Sequence, residues 1–183
     1  MNAKNKMKND MAEKIKDYNV HLAYIQDLLT VYNLILDSKE SIFSKDFITV
    51  TTCGLYDSFI MALARLYDKS ESTETIPNLL DKCIKNAHLI DDNEYVQKLN
   101  DFNHQLTTNE YISPAIQTIT FRRDKMFAHN DKQYFGRKIS SDKTHLPMYQ
   151  IWFLVNFTKD VLSYISEIFD VNMGSPKFEP KFW

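Results

Sequence analysis

Apolar residues recur along most of this chain at steps of three and four, the period of an α-helix that buries one face. The longest such stripe, Met11, Ile15, Tyr18, Leu22, Ile25, Leu29, Tyr32 and Leu36, predicts one long helix from about Asp10. Ahead of it, residues 1–9 are polar and lysine-rich, the pattern of a disordered, frayed terminus. A second helix is expected from about Ser44 to Tyr67, with Phe47, Ile48, Leu55, Phe59, Ala62, Leu63 and Leu66 inward. The tract LYDSFIMALARLYDKS is apolar almost all round, which places this helix at the centre of a bundle. Within it, Gly54 reads as a close helix crossing, and Arg65 with Asp68 as a local pair or cap, a role lining a site being the lesser reading.

After a polar, hydroxyl-rich linker, Pro77 opens a short helix through Leu79, Leu80, Cys83, Ile84 and Ala87. Asp91 and Asp92 suit the start of a fourth helix, which carries Tyr95, Leu99, Phe102 and Leu106 inward; these two form a satellite hairpin. Ser113-Pro114 pairs an N-cap serine with a proline at the first helical position and predicts a fifth helix through Ala115, Ile116, Ile119 and Met126. Residues 130–145 read as a polar loop, and a last helix runs from Pro147 to about Val171 with apolar residues on more than one face, as deep burial or a subunit contact requires. Residues 172–183 form an extended tail whose closing Phe182-Trp183 is expected to dock on something apolar. The fold class is therefore all-α: an antiparallel helical bundle of four main helices with one or two short accessory helices, in a single domain over residues 10–171.

Composition narrows this picture. Three glycines and five prolines are few for 183 residues, and strand-rich folds need more turn residues. No apolar run reaches the ~18 residues that span a bilayer, and the start, MNAKNKMKND, lacks the apolar core of a signal peptide. A cytoplasmic protein without membrane contact is expected. Cys53 and Cys83 then read as buried, reduced thiols. His21, His88, His104 and His145 are scattered with no ligand-like pairing, so no metal or cofactor is expected. The net charge of −2 argues against a chain coated in positive charge, but between Gln117 and His145 seven cations face three anions.

That basic region holds the one stretch that points to chemistry, FRRDKMFAHND, from Phe121 to Asp131. On an uninterrupted α-helix Arg122 and His129, seven apart, share a face, and Arg123 lies about 120° from His129. Arginine holds phosphate oxygens in two-point contact, and histidine titrates near neutrality and moves protons. RNA suits such a pair, because its ribose 2′-hydroxyl is the nucleophile and needs no metal-activated water. The histidine takes that proton, the arginine stabilises the pentacoordinate phosphorus, and Asp124 or Asp131 fixes the imidazole tautomer. The plain alternative is a basic helix end that gains a few tenths of a kcal/mol to ~1 kcal/mol from the helix dipole.

Arg123-Asp124, followed by Lys125, Met126, Phe127, Ala128 and His129, resembles the signature of the HEPN superfamily (higher eukaryotes and prokaryotes nucleotide-binding): an arginine, a polar residue, then a histidine after four to six positions. The longer RDKMFAHND, with LYDSFIMALARLYD at residues 55–68, resembles its AbiU-type abortive-infection branch. The resemblance implies a helical bundle, usually a homodimer, whose two motif helices meet in a composite ribonuclease site without metal. It implies catalytic roles for Arg123 and His129, with Asp124 as the polar neighbour, in a toxin-like or antiphage effector with RNA as substrate and a cognate antitoxin as a further partner. Arg122, Lys125, Asn130, Lys132, Arg137 and Lys138 are the expected substrate-binding residues, and Phe127 and Tyr134 either stack on bases or belong to the core. A non-catalytic dimeric module that holds a partner protein, a nucleotide or RNA is the other reading.

Overall fold

The computed structural model describes residues 3–37, 44–68, 70, 72–90, 93–127 and 145–174. Among them every regular element is helical: α1 (Ala3–Asp37), α2 (Lys45–Leu66), α3 (Ile76–Lys85), α4 (Asn93–Thr108), α5 (Ile112–Arg122) and α6 (Met148–Ile168). A 3₁₀ turn, Ala87–Leu89, follows α3, and a π-turn, Arg123–Phe127, follows α5. The all-α bundle expected from periodicity is the fold.

The stripe on α1 becomes the spine of the core. Met7, Met11, Ile15, Tyr18, Leu22, Ile25 and Leu29 are all buried, against α2 on one side and α6 on the other. The helix starts at Ala3 rather than near Asp10, because Met7 extends the buried stripe by one turn and Lys8 pairs with Asp170 just beyond α6 at 3.0 Å. At its other end α1 outruns its partners. A helix of 35 residues is about 50 Å long, so Val31, Leu34 and Leu36 are exposed, as are Phe47 and Val50 on the facing start of α2. Leu36 and Phe47 are thus not the inward residues that the pattern predicts.

Ser44 caps α2, its Oγ accepting from the Phe47 N–H at 3.2 Å. Only the C-terminal half of α2 enters the core, through Phe59, Ile60, Ala62, Leu63, Ala64 and Leu66. Gly54 lies in the exposed half, where an added Cβ would meet nothing within 4 Å, so no close crossing occurs there. By length and composition α2 is apolar enough to cross a membrane, with a mean hydropathy of 1.5. Run length misses this because Asp46, Asp57 and Arg65 interrupt the run but leave the mean high. The buried half and the ion pair that Asp57 forms with Arg122 are properties of a bundle helix.

The α3–α4 hairpin is continuous with the core rather than a satellite. Leu79, Leu80 and Cys83 of α3 and Leu99 and Phe102 of α4 join the same buried cluster, and Phe102 meets Phe157 and Tyr164 of α6 edge-on with centroids 5.7 Å apart in each case. Burial pushes the Cys83 thiol up to about 12, whereas Cys53 is exposed, contrary to expectation. Thr75 caps α3 with Pro77 in its first turn, and Asp91 and Asp92 lie outside the described residues. The cap of α5 differs from the Ser113-Pro114 reading: Asn109 Oδ1 accepts from the N–H groups of Tyr111 and Ile112 at 2.9 and 3.1 Å. Ser113 and Pro114 are already helical, and the proline's missing N–H is one that the first turn leaves unbonded. From there α5 packs on α2, α4 and α6.

On α6, Tyr67 reaches Thr158 with hydroxyl oxygens 2.7 Å apart inside the core, while Tyr149, Trp152 and Phe153 stay exposed. Beyond α6 the chain turns back along α1, where Asn19 donates to the Met173 carbonyl at 2.8 Å. Pro176, Pro180, Phe182 and Trp183, including the expected docking pair, lie outside the described residues.

Candidate active site

The two arginines of the central stretch are consecutive, so on a helix they diverge by about 100°. What each meets is set by α2. The triplet Leu-Tyr-Asp occurs within it at residues 55–57 and again across its C-terminal end at residues 66–68. The first copy lies within α2, whereas in the second Leu66 closes the helix and Tyr67 and Asp68 follow it.

Arg122 takes the first copy. Its Nη2 donates to Asp57 Oδ1 at 2.8 Å, and its guanidinium lies over the Tyr56 ring at 5.1 Å. The residue is only 9% exposed. Tyr56 in turn grips Leu146, its hydroxyl donating to the carbonyl at 3.0 Å and accepting from the N–H at 3.1 Å. The residues on either side of the stretch 128–144 are therefore fastened to the same turn of α2. Arg122, expected at the substrate, is thus placed in an ion pair and a cation–π contact within the scaffold. Asp57→Ala is expected to lower stability by about 2 kcal/mol, less than for a fully buried pair because the Asp57 side chain is 44% exposed. In a thermal melt that is a fall of roughly 4–8 °C, and an unchanged midpoint would contradict it.

Arg123 takes the second copy. Its Nη1 forms an ion pair with Asp68 Oδ2 at 3.0 Å, and its Nε donates to Asp124 Oδ1 at 2.7 Å. The Asp124 hydrogen bond, with Asp68 adding to it, raises the affinity of the guanidinium for its proton despite partial burial. Asp68 is itself held by Ser70, whose N–H donates to Oδ1 at 3.1 Å. Asp68 is thus the partner of Arg123, not the local partner of Arg65. Among the described residues the Nε N–H donates to Asp124, while the buried Nη1 meets Asp68 as an ion pair and makes no hydrogen bond. An arginine so clamped is fixed in position, and its charge is offset by two carboxylates.

The backbone at Arg123 has left the α-helix. A π-turn closes i→i+5 instead of i→i+4, and such turns occur frequently at functional sites. The angles reckoned for Arg122, Arg123 and His129 assumed an uninterrupted α-helix, and that assumption fails at the π-turn. Asp124 serves the arginine here. His129, the imidazole it is expected to orient, lies outside the described residues, as do Ala128, Asn130, Asp131, Lys132, Tyr134, Arg137 and Lys138. Lys125 is exposed at the π-turn. Among the described residues no group of three or more His, Cys, Asp or Glu side chains could hold a metal ion.

Residue types alone missed Tyr56 and Asp57 as parts of this site and gave Asp68 such a role only as the lesser reading. The signal that finds them is the repeated Leu-Tyr-Asp at a spacing of about three helical turns.

The family model described as AbiU2, of the HEPN group, matches residues 38–179. That span takes in α2 through α6, both Leu-Tyr-Asp triplets and the motif stretch, and leaves out α1. No curated protein and no solved structure matches the chain.

Proposed function

The chain belongs to the AbiU2 family of HEPN proteins, and from that premise we propose that it is a metal-independent endoribonuclease of abortive-infection type. The observation that carries this reading is Arg123: the motif arginine stands in a π-turn and is oriented from two sides by Asp68 and Asp124. Pre-orientation of a charged fork is what phosphoryl chemistry asks of a protein, since stabilising developing charge works best with groups already in place.

In the reaction, the ribose 2′-oxygen attacks the adjacent phosphorus while His129 accepts its proton. The bond from phosphorus to the 5′-oxygen breaks, and that oxygen leaves with a proton. One product ends in a 2′,3′-cyclic phosphate and the other in a 5′-hydroxyl. Arg123 faces the charge that gathers on the equatorial phosphate oxygens. Two copies of the chain supply two histidines, one to take the first proton and one to give the second. A homodimer also gives the apolar side chains left exposed at the α1–α2 tip, Val31, Leu34, Phe47 and Val50, a surface to cover. Lys125, Asn130, Lys132, Arg137 and Lys138 form the rim that follows the RNA backbone. A cognate antitoxin would act by covering that rim.

Purified protein incubated with single-stranded RNA and with DNA of the same sequence, both in EDTA, tests the proposal. Cleavage of the RNA alone is expected, and intact RNA would contradict it. One observation favours the other reading, a binding module without turnover: two carboxylates offset the charge of Arg123 and weaken its pull on a phosphate. In that case RNA is retained in a gel-shift assay and recovered at full length.

A further inference from the structure

A cleft of about 570 Å³ runs between the α3–α4 hairpin and α5. Its polar lining comes from Asn100, Asn103, His104, Thr107, Ser113 and Gln117, with no Asp, Glu, Lys or Arg among its lining residues. The apolar part of the wall is Pro77, Leu106, Ile116 and the buried ring of Tyr67. The volume lies within the ~300–1,000 Å³ of small-ligand sites, which share this plan of an apolar surface with a few polar groups. The lining offers no Lys or Arg to pair with a phosphate. Three carboxamides, each offering a donor and an acceptor in one plane, suit an uncharged planar ring with both on its edge, and the exposed imidazole of His104 offers a stacking face.

The cleft and Arg123 are also joined through the chain. Ile116 and Gln117, in the cleft wall, lie on α5, which ends at Arg122 directly before Arg123. Tyr67, in the cleft wall, is followed directly by Asp68, the ion-pair partner of Arg123. Thr120 lies between Gln117 and Arg123 in the chain, and its buried Oγ1 has no hydrogen-bond partner among the described residues. Two of the carboxamides are held weakly, Asn103 donating to Asp81 and Gln117 to Ser113, each at 3.4 Å. Bonds of that length lie beyond the usual 2.7–3.2 Å range and exchange readily for contacts with a ligand.

We infer that this cleft receives one unpaired nucleobase of the RNA, beside the phosphate held at Arg123, and that its carboxamides select adenine. Asparagine and glutamine pair in two-point fashion with the N6 and N7 positions of adenine. The role in cleavage specificity rests on the ribonuclease reading; binding of the base does not.

The four free nucleosides, titrated into the full chain and followed by amide resonances, test the two apart. Adenosine is expected to shift the signals of Asn100, Asn103, Ser113 and Gln117, and more strongly than the other three nucleosides. Gln117→Leu and Asn100→Leu, each checked for an unchanged melting midpoint, are expected to weaken that binding about tenfold or more. His129→Ala is expected to bind adenosine as the parent does. Cleavage by the parent should fall beside adenines and lose that preference in Gln117→Leu. Were no nucleoside to move these signals up to its solubility limit, the inference would fall even if the protein cleaves RNA. Stronger response to another nucleoside would overturn the choice of adenine, whereas adenosine binding without any cleavage would uphold the cleft and refute the ribonuclease.

Discussion

His129→Ala is expected to slow cleavage of single-stranded RNA by about 10²- to 10⁴-fold, the usual contribution of a positioned general acid or base. The loss should be one of turnover rather than of affinity. Binding to RNA depends on the backbone-facing cations, which the substitution leaves in place, so the salt dependence of binding should be unchanged. Single-turnover rates at saturating protein separate the two effects. Equal rates for parent and variant would remove His129 from the chemistry. A drop in binding with the rate constant intact would make it a substrate contact. The same assay on Arg123→Ala should show a loss of about 10²- to 10³-fold, the range for removing one preorganised donor. Its meaning differs, because the variant leaves Asp68 and Asp124 facing one another without their shared cation.

The largest effect on stability is expected at Phe59. This side chain is fully buried and meets Tyr32 and Tyr56 edge-on, with centroids 5.6 and 5.1 Å apart. Phe59→Ala removes both aromatic contacts and leaves a cavity that the packed helices fill poorly, a change that costs about 3–5 kcal/mol. For a chain of this length the midpoint of thermal unfolding should fall by roughly 6–20 °C. The consequence also reaches the site. Tyr56 packs on Phe59, carries Arg122 on its face and grips Leu146 with its hydroxyl. Phe59→Leu, which keeps most of the volume, should cost far less. A variant Phe59→Ala that melts within 2 °C of the parent would show that this cluster is not part of the cooperative core, contrary to the ~3 kcal/mol minimum above.

The helices were legible because their information is local. A buried face every three or four residues, an N-cap hydroxyl and a proline near a start are written into neighbouring positions, and α1, α2, α3 and α6 follow from them. The places where reading fails are those where a partner decides. Phe47 and Leu36 match the inward period, but at the α1–α2 tip both stay exposed. Met7 lies in a polar segment and is nonetheless buried, because the end of α6 lies beside it. Ser113-Pro114 has the form of a helix start, yet Asn109 caps the helix from upstream.

The site shows the same division. Arg123 and the stretch around it stand out from residue types and from the family signature. What Arg123 touches does not, since Asp68 is 55 residues away along the chain and only the crossing of α2 and α5 joins them. Arg122 was assigned to substrate from helical angles, which cannot register that Asp57 and Tyr56 already enclose it. The π-turn is likewise invisible to a fixed 100° step.

The central claim is that the ribose itself supplies the nucleophile and that Arg123 and His129 need no metal to use it. A DNA oligonucleotide with one ribonucleotide at a defined position, incubated with the protein in EDTA, tests it most directly. Scission only at the bond after that ribose, with a 2′,3′-cyclic phosphate on the upstream fragment and the same rate when magnesium replaces EDTA, is the result that the account predicts. Cleavage elsewhere in the strand, a linear phosphate formed at once, or activity that appears only with magnesium would contradict it.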